Sequence, residues 1–183
     1  LFEDISAAVM LERRYRTAIL DGGGLYVSSG TAALTGTHLT RNRVTGSGSW
    51  GRGGGVYVHA GTATMSNTRI LSNRAGEDGG GAFVSQPSGK LVATGGEIGS
   101  NTVPNDGGGV YLSAGTAAIA DAQIWGNTAD ADGGGVYVFN GKATMSNTRV
   151  VSNAADNEGG GVYVSEAGST LVANGGEFGN NTA

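Results

Sequence analysis

Short stretches in which apolar and polar residues alternate recur along the chain from residue 22 onward, separated by glycine, asparagine or aspartate. Alternation with a period of two is typical of β-strands, and these three residue types are typical of the turns between strands. The clearest stretch follows a glycine triplet that occurs six times, starting at Gly22, Gly53, Gly79, Gly107, Gly133 and Gly159. Each triplet precedes an apolar, an aromatic and a second apolar residue. The pattern therefore predicts an all-β repeat protein.

A second signature, an asparagine three positions after an apolar residue, accompanies every triplet. These asparagines are Asn42, Asn73, Asn101, Asn127, Asn153 and Asn181. Successive triplets are 26 or 28 residues apart, except that a five-residue insertion around Gly46 to Trp50 lengthens the first interval. Residues 56–75 and 136–155 are nearly identical and lie 80 residues apart, which indicates that three-unit blocks were duplicated. We therefore expect six coils of about 26 residues each.

Aligned on the asparagine, the repeats contain two neighbouring inward positions whose volumes compensate. The pairs are Ala32/Leu34, Ala63/Met65, Leu91/Ala93, Ala117/Ile119, Ala143/Met145 and Leu171/Ala173. One member is always large and the other alanine, as expected when both share one close-packed layer. Two residues later, a left-handed turn is predicted at Gly36, Asn67, Gly95, Asp121, Asn147 and Gly175. Columns that repeat through six units favour a right-handed parallel β-helix (β-solenoid) over the competing antiparallel sandwich.

The aromatic residue of each repeat lies between two inward residues, so it is predicted on the outer face of its strand. This column consists of Tyr26, Tyr57, Phe83, Tyr111, Tyr137 and Tyr163. Rings about 4.8 Å apart would stack on each other and offer an interaction surface to a neighbouring subunit or a glycan. The six asparagines are expected to point inward at a corner and to form a structural ladder of amide hydrogen bonds.

Composition excludes several classes of protein. Glycine supplies 36 of 183 residues, but the chain has only two prolines and no Gly-X-Y period, which excludes collagen. The absence of cysteine excludes a disulfide scaffold and thiolate metal sites. A net charge of −4 gives no reason to expect a nucleic-acid partner or an anionic membrane, and no apolar run is long enough for a membrane span.

The two ends differ from the repeat region, residues 21–183. Residues 1–20 do not fit the repeat, and Glu3 to Arg16 fits a short amphipathic helix that would cap the first coil. Asn181-Thr182-Ala183 stops where the next triplet is due, so we expect an uncapped C-terminal coil that self-associates head to tail. The start at Leu1, without methionine or a signal-peptide pattern, indicates a processed chain or a fragment.

Acidic residues precede five of the six triplets, at Asp21, Asp78, Asp106, Asp132 and Glu158. Arg52 precedes the remaining triplet, which starts at Gly53. Stacked carboxylates make Asp78, Asp106, Asp132 and Glu158 candidates for Ca²⁺, although turn-forming, solubilising acids are the simpler interpretation. We expect no other cofactor. The GxGxxG spelling of residues 46–51 lies in the insertion and lacks the strand–turn–helix context that a nucleotide site requires.

Enzymatic cleavage of a polysaccharide requires carboxylates, or a base beside a metal, that converge in a groove. The chain shows no such cluster outside the turn edge, and its two histidines, His38 and His59, are isolated, so we expect no enzyme. Ice binding requires a regular threonine lattice, and only Thr62 and Thr64 form a Thr-x-Thr rung. A carbohydrate-binding or polysaccharide-degrading β-helix and an ice-binding protein remain the alternatives.

The paired signatures resemble the repeats of the polymorphic outer membrane protein family and related bacterial surface β-helix proteins. Gly80-Gly81-Ala82-Phe83 matches the family's Gly-Gly-Ala-apolar motif, and Phe178-Gly179-Asn180-Asn181 matches its Phe-x-x-Asn motif. Valine replaces the alanine, and leucine, isoleucine or valine the phenylalanine, in the other repeats. The resemblance covers residues 22–183 and implies a secreted or cell-surface β-helix without catalytic residues, often an adhesin. We therefore expect an extracellular structural or adhesive protein, with a head-to-tail filament as its assembly.

Overall fold

A computed structural model describes residues 17–18, 21–46 and 50–183, and this part of the chain forms a parallel β-helix. The cap helix expected from Glu3 to Arg16 lies outside the described residues. Within the described residues every regular element is a β-strand, and no helix long and apolar enough to cross a membrane is present.

The strands follow one another coil by coil. Strand β1 (Thr17–Ala18) precedes coil one, which contains β2 (Leu25–Val27), β3 (Thr31–Thr35), β4 (His38–Thr40) and β5 (Arg43–Val44). Coil two contains β6 (Val56–Val58), β7 (Thr62–Ser66) and β8 (Arg69–Leu71), and coil three contains β9 (Ala82–Val84), β10 (Lys90–Thr94), β11 (Glu97–Gly99) and β12 (Thr102–Val103). Coil four contains β13 (Val110–Leu112), β14 (Thr116–Ala120), β15 (Gln123–Trp125) and β16 (Thr128–Ala129). Coil five contains β17 (Val136–Val138), β18 (Lys142–Ser146), β19 (Arg149–Val151) and β20 (Ala154–Ala155), and coil six contains β21 (Val162–Val164), β22 (Thr170–Asn174) and β23 (Glu177–Gly179).

Equivalent strands of successive coils pair in parallel and form three long sheets. Sheet one contains β2, β6, β9, β13, β17 and β21; sheet two contains β3, β7, β10, β14, β18 and β22; sheet three contains β4, β8, β11, β15, β19 and β23. Each sheet has six strands, so five complete turns of the chain separate its first strand from its last. The predicted repeat thus corresponds to one strand per sheet in each coil.

A fourth, narrower sheet follows the asparagine of each coil and was not predicted. Strands β12, β16 and β20 pair in it, and β1 pairs with β5. Isolated bridges at Arg74 connect the two parts. The signal available in the sequence was the apolar residue two positions after each asparagine, since Ala75, Val103 and Ala129 form a small buried cluster of their own.

The core confirms the predicted compensation of volumes. Leu91 lies in register between Ala63 and Ala117, and Ala93 lies in register between Met65 and Ile119. All of these side chains are buried in one cluster that runs along the rod axis. A large side chain in one coil therefore fills the space left by alanine in the coils above and below it.

Both the predicted left-handed turn and a second one shape each coil. The predicted column has positive φ throughout, at Gly36, Asn67, Gly95, Asp121, Asn147 and Gly175. The residue before each ladder asparagine also has positive φ, which was not predicted: Arg41, Ser72, Ser100, Gly126, Ser152 and Asn180. This second turn lies between sheet three and the fourth sheet, where the following asparagine turns inward.

Each glycine of a triplet has its own physical reason. In coil three, Gly79 has a φ of +65°, a conformation that other residues rarely adopt. A Cβ on Gly80 would lie 2.6 Å from the carbonyl oxygen of Gly108 in the next coil. A Cβ on Gly81 would lie 2.9 Å from Nδ2 of Asn101. The triplet is therefore the place where the backbone of one coil approaches both its neighbour and the asparagine ladder.

Candidate functional site

The aromatic column forms a continuous ladder on the outer face of sheet one. The first four rings, from Tyr26 to Tyr111, stack nearly parallel, with successive centroids 5.0, 5.3 and 5.0 Å apart. Tyr137 then meets Tyr111 edge-on, at 4.9 Å and an interplanar angle of 78°. Tyr163 follows at 5.0 Å, tilted by 31°. The ladder is thus a stack with one rotated ring, an arrangement typical of favourable aromatic packing.

The outer face of sheet one is largely covered. Tyr57, Phe83, Tyr111 and Tyr137 keep between 1% and 8% of their surface exposed and form a cluster separate from the core. Tyr26 is 37% exposed and Tyr163 is only partly buried. The rings cover one another, so a sugar could stack on an aromatic face only towards the two ends of the ladder. The predicted interaction surface stays a prediction, now restricted to those ends.

A ring that sequence analysis did not single out, Phe139, lies beside the ladder. It is 37% exposed and meets Tyr137 edge-on, with ring centroids 6.2 Å apart. The hydroxyl of Tyr137 shares a 3.1 Å hydrogen bond with that of Ser165 in the next coil. Burial is the main cause that raises the pKa of Tyr57 and of Tyr137. The tyrosines of the ladder therefore stay neutral at physiological pH.

The acidic residues before the triplets, together with Arg52, form a column that we call the turn column. Its members are Asp21, Arg52, Asp78, Asp106, Asp132 and Glu158. The backbone N–H of Arg52 donates to Oδ1 of Asp21 at 2.9 Å, and that of Asp132 donates to Oδ1 of Asp106 at 3.0 Å. The N–H of Glu158 likewise donates to Oδ1 of Asp132 at 3.1 Å. The carboxylates thus join each turn to the next one along the rod.

Asp78 is the most buried carboxylate of the turn column. Nε of Arg52 donates to its Oδ2 at 3.1 Å, and the guanidinium carbon of Arg52 lies 5.2 Å from the ring centre of Phe83. Burial raises the pKa of Asp78 to about 6, against the opposing effect of Arg52 and with a smaller contribution from Asp106. Burial also raises the pKa of Asp106. This part of the column carries unfavourable negative charge at neutral pH.

The calcium candidates Asp78, Asp106, Asp132 and Glu158 are distributed one per coil along the rod. Among the described residues, no group of three or more His, Asp or Glu side chains is arranged to hold a metal ion. At least two of these carboxylates already accept the backbone N–H of the following turn. In chemical terms, the column can fix turns and concentrate negative charge at one corner.

The six asparagines form a buried amide ladder. Nδ2 of Asn101 donates to the carbonyl of Ile70 in coil two and to Oδ1 of Asn127 in coil four, both at 2.9 Å. Oδ1 of Asn101 accepts from the backbone N–H and the Nδ2 of Asn73, at 2.8 and 3.0 Å. The same pattern continues through the ladder from Asn42 to Asn181. Each inner amide therefore uses its whole hydrogen-bonding capacity along the rod axis.

The outer faces of sheets two and three hold the remaining polar residues that the sequence singled out. On sheet three, two ion pairs join neighbouring coils: Arg69 lies 3.2 Å from Glu97, and Arg149 lies 2.8 Å from Glu177. On sheet two, Thr62 and Thr64 are followed in the next coil by Lys90 and Val92, which interrupts a threonine array.

The two histidines are not brought together. His38 is exposed on sheet three, whereas His59 follows the first sheet and stacks on Tyr57 at 6.3 Å. Among the described residues, neither histidine forms a salt bridge with a carboxylate, and Nδ1 of His59 is buried without a hydrogen-bond partner.

Comparison with known proteins bears on the fold. A family model described as "Right handed beta helix region" matches residues 17–182, which is nearly the whole chain. Searches of curated proteins and of solved structures give no match. The finer resemblance to polymorphic outer membrane proteins stays a prediction. The extent of the family match and the parallel stacking of every coil together show that the chain belongs to the right-handed β-helix family.

Proposed function

We propose that this β-helix is a non-enzymatic structural element, displayed outside the cell as the stiff part of an adhesive surface protein. One observation carries the proposal: the polar side chains that recur in every coil bond along the rod axis instead of converging on a cleft. The asparagine ladder and the turn column both connect each coil to the next. Side chains arranged in this way hold the coils of the rod together, and their hydrogen-bonding groups are already used within the protein.

The same contacts make the rod stiff. Every coil is joined to its neighbour by three parallel strand pairings, by amide hydrogen bonds and by a ring contact. Each coil contacts only its nearest neighbours, so the rod bends at the junctions between coils. Bending at a junction must disturb several of these contacts at once. A surface protein uses such an element to hold a binding region away from the cell.

Asp78 is the residue that most resembles a catalytic acid, because buried carboxyls with a raised pKa are common in active sites. Its carboxylate, however, is bound to Arg52 and accepts a backbone hydrogen bond from Asp106. Structural ion-pair networks also contain carboxyls with shifted pKa values, so the raised pKa of Asp78 does not by itself identify a catalytic acid. The contacts of Asp78 therefore favour a structural role.

Display outside the cell is tested with antibodies raised against the purified chain. They are applied to intact and to permeabilised cells of the source organism, with an antibody against a cytoplasmic protein as the control. We expect equal labelling of intact and permeabilised cells. Labelling that appears only after permeabilisation would overturn the proposed location.

The absence of enzyme activity is tested separately. The purified chain is incubated with pectate, alginate, hyaluronan and chondroitin sulfate, and the polymer length is followed by size-exclusion chromatography. We expect no shortening of any polymer. Shortening by the parent chain that is lost in Asp78→Asn, but kept when the exposed Asp156 is changed to Asn, would make the protein an enzyme instead.

A further inference from the structure

The outer face of the fourth sheet carries opposite charges in its two halves. Its outward positions come one and three residues after each ladder asparagine, because the residue between them is buried in every coil from one to five. In coils one and two these positions include Arg43 and Arg74, and in coils four and five they include Asp130 and Asp156. All four side chains are exposed. The face therefore has a basic half and an acidic half.

Like charges are direct neighbours within each half. Arg43 and Arg74 are bridge partners in adjacent coils. The residues before Asp130 and Asp156 are also partners, in the pairing of β16 with β20, so the two aspartates lie side by side. The three ion pairs of the described residues lie elsewhere on the rod and leave all four side chains without a counter-charge. Like charges in this arrangement are unfavourable in the isolated chain.

The two halves are symmetric about coil three. Arg74 and Asp130 belong to the coils directly before and after it, whereas Arg43 and Asp156 are each two coils away from it. Coil three itself has no charged residue at either outward position. A twofold axis that passes through coil three, parallel to the strands, would therefore bring each arginine of one rod opposite an aspartate of a second rod.

The distribution of charge along the whole rod has the same direction. Residues 21–75 contain five arginines and one acidic residue, whereas residues 76–183 contain three basic and eleven acidic residues. Two such rods attract each other when they lie antiparallel and repel each other when they lie parallel in register. Long-range charge thus favours the orientation that the twofold axis requires.

The exposure of this face is lateral and does not depend on either end of the rod. Along the axis, Arg43 lies between Thr17 of β1 and Arg74 of coil two. Coil five is likewise followed by coil six, in which Thr182 forms a bridge with Ala154. Further coils at either end of the rod would leave the face as it is.

We propose that the outer face of the fourth sheet binds the same face of a second copy of this chain, with the two rods antiparallel. The arginines and the aspartates stand in columns two residues apart, which is a lateral offset of about 6.6 Å. The long side chain of arginine can span this offset and bind a carboxylate with two N–H groups. Because the sheet is narrow, the contact depends on charge more than on buried apolar area, and the dimer is transient and sensitive to salt.

The first test is sedimentation velocity of the parent chain at concentrations up to about 1 mM, in about 20 mM and about 500 mM salt. We expect the sedimentation coefficient to rise towards that of a dimer at low salt and to remain that of a monomer at high salt. A monomer under both conditions would overturn the proposal, as would growth into longer species that salt does not disperse. A chain that stays monomeric but co-sediments with added polyglutamate would assign the basic half to another acidic polymer, and the proposal would be wrong.

Charge reversal tests which residues make the contact. Arg43→Asp with Arg74→Asp makes the face acidic throughout, and Asp130→Arg with Asp156→Arg makes it basic throughout. We expect at least a tenfold loss of self-association in each double variant, and recovery in an equimolar mixture of the two. Circular dichroism checks that both variants are folded. Two folded variants that do not associate when mixed would contradict the proposal.

The matched control reverses the same number of charges on another face. Lys90 and Lys142 are exposed on sheet two and belong to no ion pair of the described residues. Lys90→Asp with Lys142→Asp should dimerise like the parent chain. Equal loss of association in this control would show that net charge alone governs it, and would overturn the assigned face.

Cross-linking tests the antiparallel orientation without changing a charge. The chain has no cysteine, so Thr102→Cys and Ala154→Cys each introduce a single reactive thiol in the same column of the fourth sheet. Antiparallel pairing places the two copies of Thr102 opposite each other at the axis, and separates the two copies of Ala154 by about 19 Å along the rod. With a short bismaleimide at low salt we expect covalent dimers of Thr102→Cys and far fewer of Ala154→Cys. Equal yields would indicate a parallel pair or random collision, and would contradict the proposal.

Discussion

Nε of Arg52 donates a 3.1 Å hydrogen bond to Oδ2 of Asp78. Arg52 is the single basic residue of the turn column, which is otherwise acidic. The same guanidinium lies over the ring of Phe83. The pair therefore connects the turn column to the aromatic ladder at the point where both are most buried. Removing the cation would leave the carboxylate of Asp78 buried beside Asp106 without a counter-charge.

Arg52→Ala should therefore destabilise the fold by about 2–3 kcal/mol at pH 8, somewhat less than for a fully buried pair because Arg52 is partly exposed. The loss should be much smaller at pH 4, where the carboxyl is protonated and needs no cation. Urea unfolding at the two pH values measures both effects. The matched control is Arg149→Ala, which breaks the exposed pair with Glu177 and should cost under about 1 kcal/mol. Equal losses for the two variants at pH 8 would contradict the role given to Arg52.

The pKa of Asp78 predicts an unusual dependence of stability on pH. Its carboxyl titrates near 6 in the folded chain and near its usual value of 3.8 when unfolded, so the folded state binds the proton more tightly. The stabilisation that results is fully present below about 3.8 and is lost as the pH rises through about 6. We expect unfolding to cost about 2–3 kcal/mol more at pH 4 than at pH 7, and Asp106 adds to the effect in the same direction.

The control for this prediction is Asp78→Asn, which keeps the shape of the side chain and cannot titrate. Its stability should change much less between pH 7 and pH 4, when both proteins are compared by urea unfolding. A parent chain that loses stability as the pH falls over this range would show that other carboxylates dominate.

The sequence was sufficient to predict the fold because each coil repeats the same physical constraints. The alternation of large residues and alanine at Leu91/Ala93 and its counterparts is explained only by coils stacked in register. The left-handed turns at Asn67 and Asp121 follow from the tolerance of these residue types for positive φ. Such signals are local to one strand or turn, and six copies reinforce them.

The exposure of the ladder could not be predicted from the same columns. Alternation places Tyr57 and Phe83 on the outer face, but it does not tell how much of each ring is covered by the next ring and by Arg52. The left-handed backbone conformation of Ser72 and Ser100 was also not predicted, because serine has no special preference for positive φ. Burial on an outer face depends on neighbours in space, which a single column does not contain.

The asparagine ladder predicts a large cost for losing one amide. Asn127 is fully buried, and Asn127→Ala removes the acceptor of the backbone N–H and of Nδ2 of Asn101. It also removes the amide donor to the carbonyl of Ile98 and to Oδ1 of Asn153, which keeps only the backbone N–H of residue 127. Each unsatisfied buried group costs about 1–3 kcal/mol, so we expect a loss of about 4 kcal/mol or more. Chemical unfolding followed by circular dichroism measures it.

The control for Asn127 is an asparagine that bonds along the same axis on the surface. Nδ2 of Asn147 donates to Oδ1 of Asp121 at 3.2 Å, and Asn147 is exposed with positive φ. Asn147→Gly keeps this backbone conformation and should cost under about 1 kcal/mol. Equal losses of stability in Asn127→Ala and Asn147→Gly would contradict the prediction, because burial of the amide would then make no difference to the cost of removing it.

The aromatic ladder predicts that ring burial, not ring exposure, determines its contribution to stability. Phe83 is 1% exposed and lies between Tyr57 and Tyr111, so Phe83→Ala should cost about 3–4 kcal/mol through lost contacts and the cavity left behind. Tyr26 is 37% exposed and contacts one ring of the ladder, so Tyr26→Ala should cost about 1 kcal/mol. Urea unfolding of both variants at pH 5, where Asp78 is largely protonated, separates this effect from the charge of the turn column. A smaller loss for Phe83→Ala than for Tyr26→Ala would mean that the buried part of the ladder is loosely packed, and that its rings are open to a ligand after all.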